Sequence, residues 1–211
     1  MEDINTRLGK TKDYAIQCLK DEAEALMELI PQIDDNFEEA VKMMYNCHGK
    51  IIVTGVGKSG HIGAKIAATL SSTGTPAFYI NPLDVFHGDL GVMQDNDIML
   101  LLSNSGKTRE IVELVGLARN LNPLLKIIVI TGNPDSELAR IADVTLATGN
   151  APEVCPLGLT PTTSTTLMTV IGDVLVVGTM RTTGFTKEEY AKRHHGGYLG
   201  KKSRGEKEEQ R

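Results

Sequence analysis

Short apolar runs alternate with helix-like segments through the middle of this chain, and that alternation limits its fold more than any other feature. The runs are IIVTG, AFYI, DIMLLLS, KIIVIT and VTLAT. Strands that are apolar at nearly every position are typical of parallel sheets covered on both faces. The sequence predicts an α/β fold with a doubly wound, five-stranded parallel sheet flanked by helices.

Apolar residues at three- and four-residue steps before the first run predict an N-terminal helical pair. A capping box at Thr186 and Glu189 begins a last short helix. The predicted organisation is a single domain over residues 1–200, with N-terminal helices at 11–47, a sheet core at 50–181 and a C-terminal helix at 186–195. The charged segment 201–211 lacks apolar anchors and is predicted to be disordered.

Composition excludes several classes of protein. The net charge of −5 argues against nucleic-acid binding, which needs a basic face. Three cysteines without metal-ligand spacing are typical of reduced thiols in the cytoplasm. The N-terminus has no apolar signal core, and no run approaches the roughly 20 apolar residues of a membrane helix. These features predict a cytoplasmic protein that binds neither nucleic acid nor membrane.

A glycine-rich turn, GVGKSG at residues 55–60, follows the first apolar run. A nucleotide-binding P-loop would need glycine five positions before Gly57, where Ile52 stands. Gly55, Gly57 and Gly60 match the dinucleotide pattern GxGxxG, but the second strand does not end in the acid expected there. A tight turn that only allows close packing is the third interpretation.

A second polar loop, SNSGKT at residues 103–108, follows the third apolar run. In a parallel sheet both loops open at the carboxyl edge, where helix N-termini favour anions. The two loops are predicted to clasp one small phosphate from two sides. The hydroxyl groups available for this are those of Ser59, Ser103, Ser105 and Thr108.

The motif set as a whole resembles the sugar isomerase (SIS) domain, and in particular the bacterial D-arabinose-5-phosphate isomerases that feed Kdo and lipopolysaccharide synthesis. The stretches that carry this resemblance span almost the whole chain: GVGKSG, SNSGKTREI, FHGDLG, EVCPLGLTPTTSTT and AKRHHGGYLGKK. The resemblance implies an isomerase that interconverts arabinose 5-phosphate and ribulose 5-phosphate through an enediol. Moving a proton between adjacent carbons needs no redox cofactor, and neither a cofactor nor a metal site is predicted.

The resemblance also implies the residues that act. The catalytic candidates are Lys58, Glu110, Glu153 and His194, and the choice of base between Glu153 and His194 stays open. The candidates for substrate binding are Ser59, Gly74, Thr75, His87, Ser103, Asn104, Ser105 and Thr108. In the family a C-terminal histidine can come from a neighbouring subunit, which implies a homotetramer with shared active sites.

The chain departs from the family pattern at several points. No pair of CBS domains follows, so feedback is expected to act on the SIS domain itself, with nucleotide-activated Kdo as the inhibitor. His195 replaces proline in HPGG, and Asn81 stands where histidine is frequent. Two alternative functions remain open: a non-catalytic phosphosugar sensor, and an isomerase of another sugar phosphate.

Overall fold

The computed structural model describes residues 3–205 and confirms the predicted sheet. Its five parallel strands form in the order β2-β1-β3-β4-β5. The strands are β1 (Ile51–Gly55), β2 (Ala77–Ile80), β3 (Ile98–Leu102), β4 (Lys126–Thr131) and β5 (Val144–Ala147). Each coincides with one of the five apolar runs, because a strand buried on both faces must be apolar at successive positions.

Nine α-helices surround the sheet within the described residues. They are α1 (Ile4–Gly9), α2 (Thr11–Glu28), α3 (Asp35–Tyr45), α4 (Lys58–Ser72), α5 (Arg109–Leu121), α6 (Glu137–Ile141), α7 (Thr163–Thr183), α8 (Lys187–Arg193) and α9 (Gly197–Arg204). Short 3-10 turns lie at Ile30–Gln32, Asp84–His87 and Asp89–Val92. The helices predicted within residues 11–47 form as α2 and α3, and α1 precedes them.

Two apolar cores lie on the two faces of the sheet. Successive residues of a strand point to opposite faces, so Val53 belongs to one core and Ile52 to the other. Residues of α2, α3, α4 and α7 complete the first core, and residues of α5 and α6 complete the second. The sheet is therefore covered on both sides, and its strand ends are left to carry function.

The helix α7 is 21 residues long and is apolar enough to cross a membrane by length and composition. The sequence alone predicts no apolar run of that length. Half of its most apolar window is buried inside the fold. Leu167, Met168 and Ile171 of α7 are almost fully buried in the first core. This burial accounts for its composition, since a core helix and a membrane helix share the same apolar pattern.

The predicted disorder of residues 201–211 is wrong for residues 201–204, which lie in α9. The Lys202 ammonium stands 5.6 Å from the centre of the Tyr198 ring, and the Ser203 hydroxyl donates to the Gly200 carbonyl. These local contacts hold a short helix without apolar anchors in the core. Residues 206–211 lie outside the described residues.

Candidate active site

The strand order places a switch point between β1 and β3. The chain moves from β1 outward to β2 on one side, then returns to β3 on the other side. Ligands of open α/β sheets bind in the crevice at such a point, beyond the carboxyl ends of the strands. Gly55 at the end of β1 pairs directly with Leu102 at the end of β3. The loops 56–57 and 103–108 therefore leave the sheet side by side, as the sequence predicts, and are called the clamp below.

The first clamp loop opens the N-terminus of α4 to solvent. Gly57 precedes the helix with φ of 58°, a left-handed conformation that favours glycine, and open space surrounds the position of its missing Cβ. Because glycine has no side chain, this N-cap residue has no side-chain atom that could accept a hydrogen bond from the first turn of the helix. The first amides of a 15-residue helix thus face solvent with the positive end of its dipole, which suits an anion.

Lys58 and Ser59 begin α4 and differ in their contacts. Lys58 is exposed, and within residues 3–205 it makes no hydrogen bond or ion pair. The Ser59 hydroxyl lies 3.7 Å from the Met168 sulfur on α7, so it is directed toward the core helix in this structure. Lys58 thus lies in the first turn of α4 next to the clamp, whereas the Ser59 hydroxyl is directed at α7, and the predicted roles of both residues stay predictions.

The second clamp loop is organised by its own hydroxyl groups. The Ser103 and Thr108 hydroxyls share a hydrogen bond of 2.7 Å, and the Gly106 amide donates to the Ser103 hydroxyl at 3.1 Å. Ser105 accepts from the Lys107 amide at 3.2 Å. Thr108 is the N-cap of α5, yet its side chain does not cap the helix. This loop therefore presents a second open helix N-terminus beside the first.

Gly106 lets this loop pack against the turn after β4. Its φ is 63°, and a Cβ built there would lie 1.9 Å from the Ser136 hydroxyl oxygen. The Gly106 carbonyl also accepts from the Leu138 amide at 3.0 Å. The neighbouring Asn104 is exposed, and its carbonyl accepts from the Gly132 amide at 3.1 Å. The residues that follow β4 thus fix the position of the second clamp loop through these hydrogen bonds and this close packing.

Glu153 lies in the loop after β5 and caps α7. One carboxylate oxygen accepts from the Thr162 amide at 2.6 Å, the Thr162 hydroxyl at 2.9 Å and the Ser164 amide at 3.3 Å. The other accepts from the Ser164 hydroxyl. Burial raises the pKa of the Glu153 carboxyl, but these hydrogen bonds outweigh it and hold the pKa below its usual value. The side chain is thus a carboxylate at neutral pH.

The helices α4, α5 and α7 begin at this edge in different electrostatic states. The N-termini of α4 and α5 have no side-chain cap, whereas the Glu153 carboxylate places a negative charge at the N-terminus of α7. Glu110 is half-exposed in the first turn of α5, beside the clamp. The edge therefore combines two places for an anion with carboxylates that can move a proton.

His194 lies at the other end of the molecule. It follows α8 as its C-cap, its ring stacks on that of Tyr190 at 3.7 Å, and its Nδ1 lies 3.0 Å from the Tyr190 carbonyl oxygen. The helix α7 separates Glu153 from α8, and 21 residues at 1.5 Å each make it about 31 Å long. Within one chain, His194 therefore lies far from the clamp.

Gly74 and Thr75 also lie away from the clamp of their own chain. They join the end of α4 to the start of β2, which is the amino edge of the sheet. A Cβ built on Gly74 would lie 2.8 Å from the Phe185 ring and 3.8 Å from an Arg193 guanidinium nitrogen. These two residues accordingly share a region with His194, and their predicted contact with substrate stays a prediction.

His87 lies on the carboxyl side of β2, exposed at the end of the turn Asp84–His87. Asn81 begins the same connection, and its side-chain oxygen accepts from the Leu83 amide at 3.1 Å. Within residues 3–205, no three His, Cys, Asp or Glu side chains are grouped closely enough to hold a metal ion. The predicted contact of His87 with the sugar stays a prediction.

Cys155 is a feature of this edge that sequence reasoning left without a role. Its sulfur accepts hydrogen bonds from the Thr160 amide at 3.1 Å and the Leu159 amide at 3.2 Å. These amides, Thr160 first, lower the pKa of the Cys155 thiol to about 7. The stretch CPLGLT carries the signal in principle, since a turn after a cysteine can fold its amides back onto the sulfur.

We expect Cys155 to react with iodoacetamide before Cys47, whose thiol pKa is raised by burial. Because the thiolate is the nucleophile, the rate at Cys155 should rise about tenfold from pH 6 to pH 8. Peptide mass spectrometry after timed quenching measures both sites, with Cys155→Ser as the control. Equal rates at Cys47 and Cys155 would contradict the expectation.

Fold and clamp together define a class of protein: a doubly wound α/β domain with two uncapped helix N-termini at the switch point of its sheet. The chain belongs to the SIS domain family, whose model matches residues 43–178. It is 47% identical over 186 residues to arabinose 5-phosphate isomerase KdsD of Yersinia pestis. That match covers 88% of this chain and 56% of the relative, so the chain spans little more than half the relative's length.

Two solved structures share the fold over most of this chain. A Bacteroides fragilis protein, assigned as a candidate phosphosugar isomerase involved in capsule formation, is 55% identical with a TM-score of 0.85. The match covers 87% of this chain and 97% of that one. An Escherichia coli CFT073 protein in complex with arabinose 5-phosphate is 33% identical with a TM-score of 0.80, covering 90% of this chain and 97% of that one.

Proposed function

We propose that this protein is an aldose–ketose isomerase that interconverts arabinose 5-phosphate and ribulose 5-phosphate and so supplies Kdo and lipopolysaccharide synthesis. The observation that carries the proposal is the clamp at the switch point of the sheet, with the Glu153 carboxylate at the same edge. The similarity of the chain to arabinose 5-phosphate isomerases supports arabinose 5-phosphate as the substrate among the sugar phosphates. An acidic chain can still bind a sugar phosphate, because helix N-termini supply the local positive potential.

The proposed chemistry is a proton transfer between adjacent carbons. A base removes the proton from C2 of the aldose while an acid protonates the C1 carbonyl oxygen, which gives the enediol. The protonated base then delivers a proton to C1, and the C2 hydroxyl gives its proton back to the deprotonated acid as the C2 ketone forms. Glu153 and His194 are the proposed base and acid, Lys58 stabilises the developing charge on oxygen, and Glu110 assists proton transfer. Electrons balance within the substrate, so the reaction needs no redox cofactor.

The active site is proposed to be shared between subunits of a homotetramer. One chain carries the clamp and Glu153 at one edge of the sheet, and Gly74, Thr75 and His194 at the opposite end. Two such half-sites are separated by the length of α7 and cannot meet within one chain. A neighbouring chain that presents its His194 end to this clamp would complete the site.

Residues 1–200 are proposed to form one SIS domain, and the protein is proposed to work in the cytoplasm on a soluble sugar phosphate. Nucleotide-activated Kdo is proposed as the feedback inhibitor, acting on this domain. A nucleotide sugar carries phosphate groups of the kind that the clamp suits.

The deciding experiment is a turnover assay with a panel of pentose and hexose phosphates. We expect the purified protein to convert arabinose 5-phosphate to ribulose 5-phosphate without added metal or nucleotide. Turnover of another sugar phosphate alone would replace the substrate and keep the reaction class. Binding without turnover of any member of the panel would indicate a phosphosugar sensor instead.

A further inference from the structure

The last turn of α8 holds the ring of His194 in one plane. Tyr190 precedes His194 by four residues, and side chains at that spacing lie on the same face of a helix. The two rings are stacked, with their centres 3.7 Å apart and their planes inclined by only 7°. Because a flat ring covers one face of the imidazole, the imidazole cannot tilt toward that side. The Tyr190 ring therefore sets the plane in which His194 lies.

The Tyr190 carbonyl decides which ring nitrogen of His194 carries a hydrogen. Nδ1 lies 3.0 Å from this carbonyl oxygen, which is a hydrogen-bond distance. A carbonyl oxygen can only accept, so Nδ1 must be the donor and must carry the hydrogen. In the neutral ring Nε2 then has a free lone pair. Within residues 3–205, Nε2 makes no hydrogen bond, and the half-buried ring therefore keeps this nitrogen available for a proton.

The backbone of His194 is also held in place. Its amide donates to the Tyr190 carbonyl at 3.1 Å, and an Arg204 guanidinium nitrogen lies 3.4 Å from its own carbonyl oxygen. The buried Gly200 of α9 packs directly against that carbonyl, where an added Cβ would overlap the oxygen. This close approach requires glycine. The motif AKRHHGGYLGKK thus folds so that α8 fixes the ring of His194 and α9 fixes its backbone.

The adjacent His195 has no such support. Its side chain is exposed, and in the described part of the chain its ring makes neither a hydrogen bond nor a stacking contact. An acid or base that is already oriented reacts faster, because less freedom is lost on the way to the transition state. The two histidines are neighbours in sequence, but only His194 is prepared in this way.

We propose that Tyr190 is a positioning residue, which holds His194 in the tautomer with hydrogen on Nδ1 so that Nε2 exchanges the proton with the sugar. This role rests on the proposed function, in which His194 is the acid or the base. As base, Nε2 takes the proton from C2, the electron pair of that C–H bond stays on the substrate, and the proton is then delivered to C1. As acid, Nε2 gives its proton to the C1 oxygen and regains one from the C2 hydroxyl. In both roles Nδ1 keeps its hydrogen and its bond to the Tyr190 carbonyl.

The first test reads the tautomer without any turnover. In the full chain labelled with ¹⁵N at histidine, proton–nitrogen spectra at about pH 8.5, where an ordinary imidazole is neutral, distinguish protonated from unprotonated ring nitrogens. The signals that disappear in His194→Gln assign the residue. We expect hydrogen on Nδ1 in wild type and in Tyr190→Phe, and shifts averaged between two tautomers in Tyr190→Leu. Hydrogen on Nε2 in wild type, or unchanged shifts in Tyr190→Leu, would overturn the proposal.

The second test measures turnover of arabinose 5-phosphate. Tyr190→Leu is expected to lower kcat by about 10–100-fold with KM nearly unchanged, because a loosely held imidazole seldom reaches the reactive geometry. Tyr190→Phe keeps the stacked ring and the carbonyl and should restore the wild-type kcat. His195→Ala is the matched control at the unsupported histidine and should also resemble wild type. Equal kcat in Tyr190→Leu and Tyr190→Phe, or an equal loss in His195→Ala, would contradict a positioning role for Tyr190.

The two tests fail in different ways. A wild type that turns over no sugar phosphate removes the proposed function, and the spectra still decide whether Tyr190 fixes the tautomer. Normal turnover without a fixed tautomer keeps the function and removes the role of Tyr190. Tyr190 belongs to neither apolar core, so Tyr190→Leu should fold, and circular dichroism with thermal melts checks this.

Discussion

Turnover of arabinose 5-phosphate is expected to fall about 10²–10⁴-fold when Glu153 is replaced by glutamine, the range typical of a lost acid or base. Glutamine keeps the size of the side chain and one oxygen that can accept from the start of α7. It loses the negative charge and cannot take a proton from carbon. Initial rates at saturating substrate, compared with wild type, measure the effect.

The charge of Glu153 also has a predictable effect on stability. Its pKa is lowered in the folded protein, so its contribution is present above the pKa of the unfolded chain and is lost as pH falls through the folded value. The loss therefore begins below about pH 4. Because Glu153 stays ionised at neutral pH, any fall in activity between pH 8 and pH 6 belongs to another group. Thermal melts and rate profiles across pH separate the two effects.

The control for this substitution is Ser164→Ala. It removes one hydrogen bond to the Glu153 carboxylate but leaves the carboxylate and the Thr162 contacts in place. Loss of such a helix-capping contact costs about 1 kcal/mol, and turnover should change far less than in Glu153→Gln. If both variants lose the same stability and keep similar turnover, Glu153 only caps α7 and is not the base.

Gly106→Ala is expected to lower the free energy of unfolding by about 2–5 kcal/mol, because left-handed strain of about 1–2 adds to overpacking of about 1–3. The overpacking is against the turn after β4: an added Cβ would lie 2.3 Å from the Ser136 Cβ and 3.0 Å from the Thr131 hydroxyl oxygen. The clamp loop must move to relieve it, so phosphate binding should weaken as well. Denaturant unfolding and calorimetric titration with the substrate measure the two losses.

The matched control is Gly184→Ala at the end of α7. Gly184 has φ of 65°, nearly that of Gly106, but open space surrounds its missing Cβ. This variant therefore carries the left-handed strain alone, about 1–2 kcal/mol, without the overlap. Equal losses of stability in the two variants would show that the packing of Gly106 against Ser136 has no energetic weight.

The sequence by itself determined the sheet and the position of the clamp. All five strands are local runs of apolar residues, and burial on both faces leaves such runs no other common structure. Parallel strands share one carboxyl edge, so the loops GVGKSG and SNSGKT had to open on the same side. Adjacency of β1 and β3 then brought the loops together. The same local reasoning missed α9, which forms through contacts within one short segment rather than by burial.

Only the tertiary structure decided what the individual side chains do. Glu153 caps a helix whose N-cap residue, Thr162, lies nine positions later, and the intervening loop hides that partnership from any local pattern. The periodicity of α2 predicts a helix, yet it does not say which of its apolar sides packs inward and which faces solvent. His194 and the clamp lie at opposite ends of the molecule because the 21-residue helix α7 runs between them. Periodicity and turn chemistry are local properties, whereas these roles depend on distances across the folded chain.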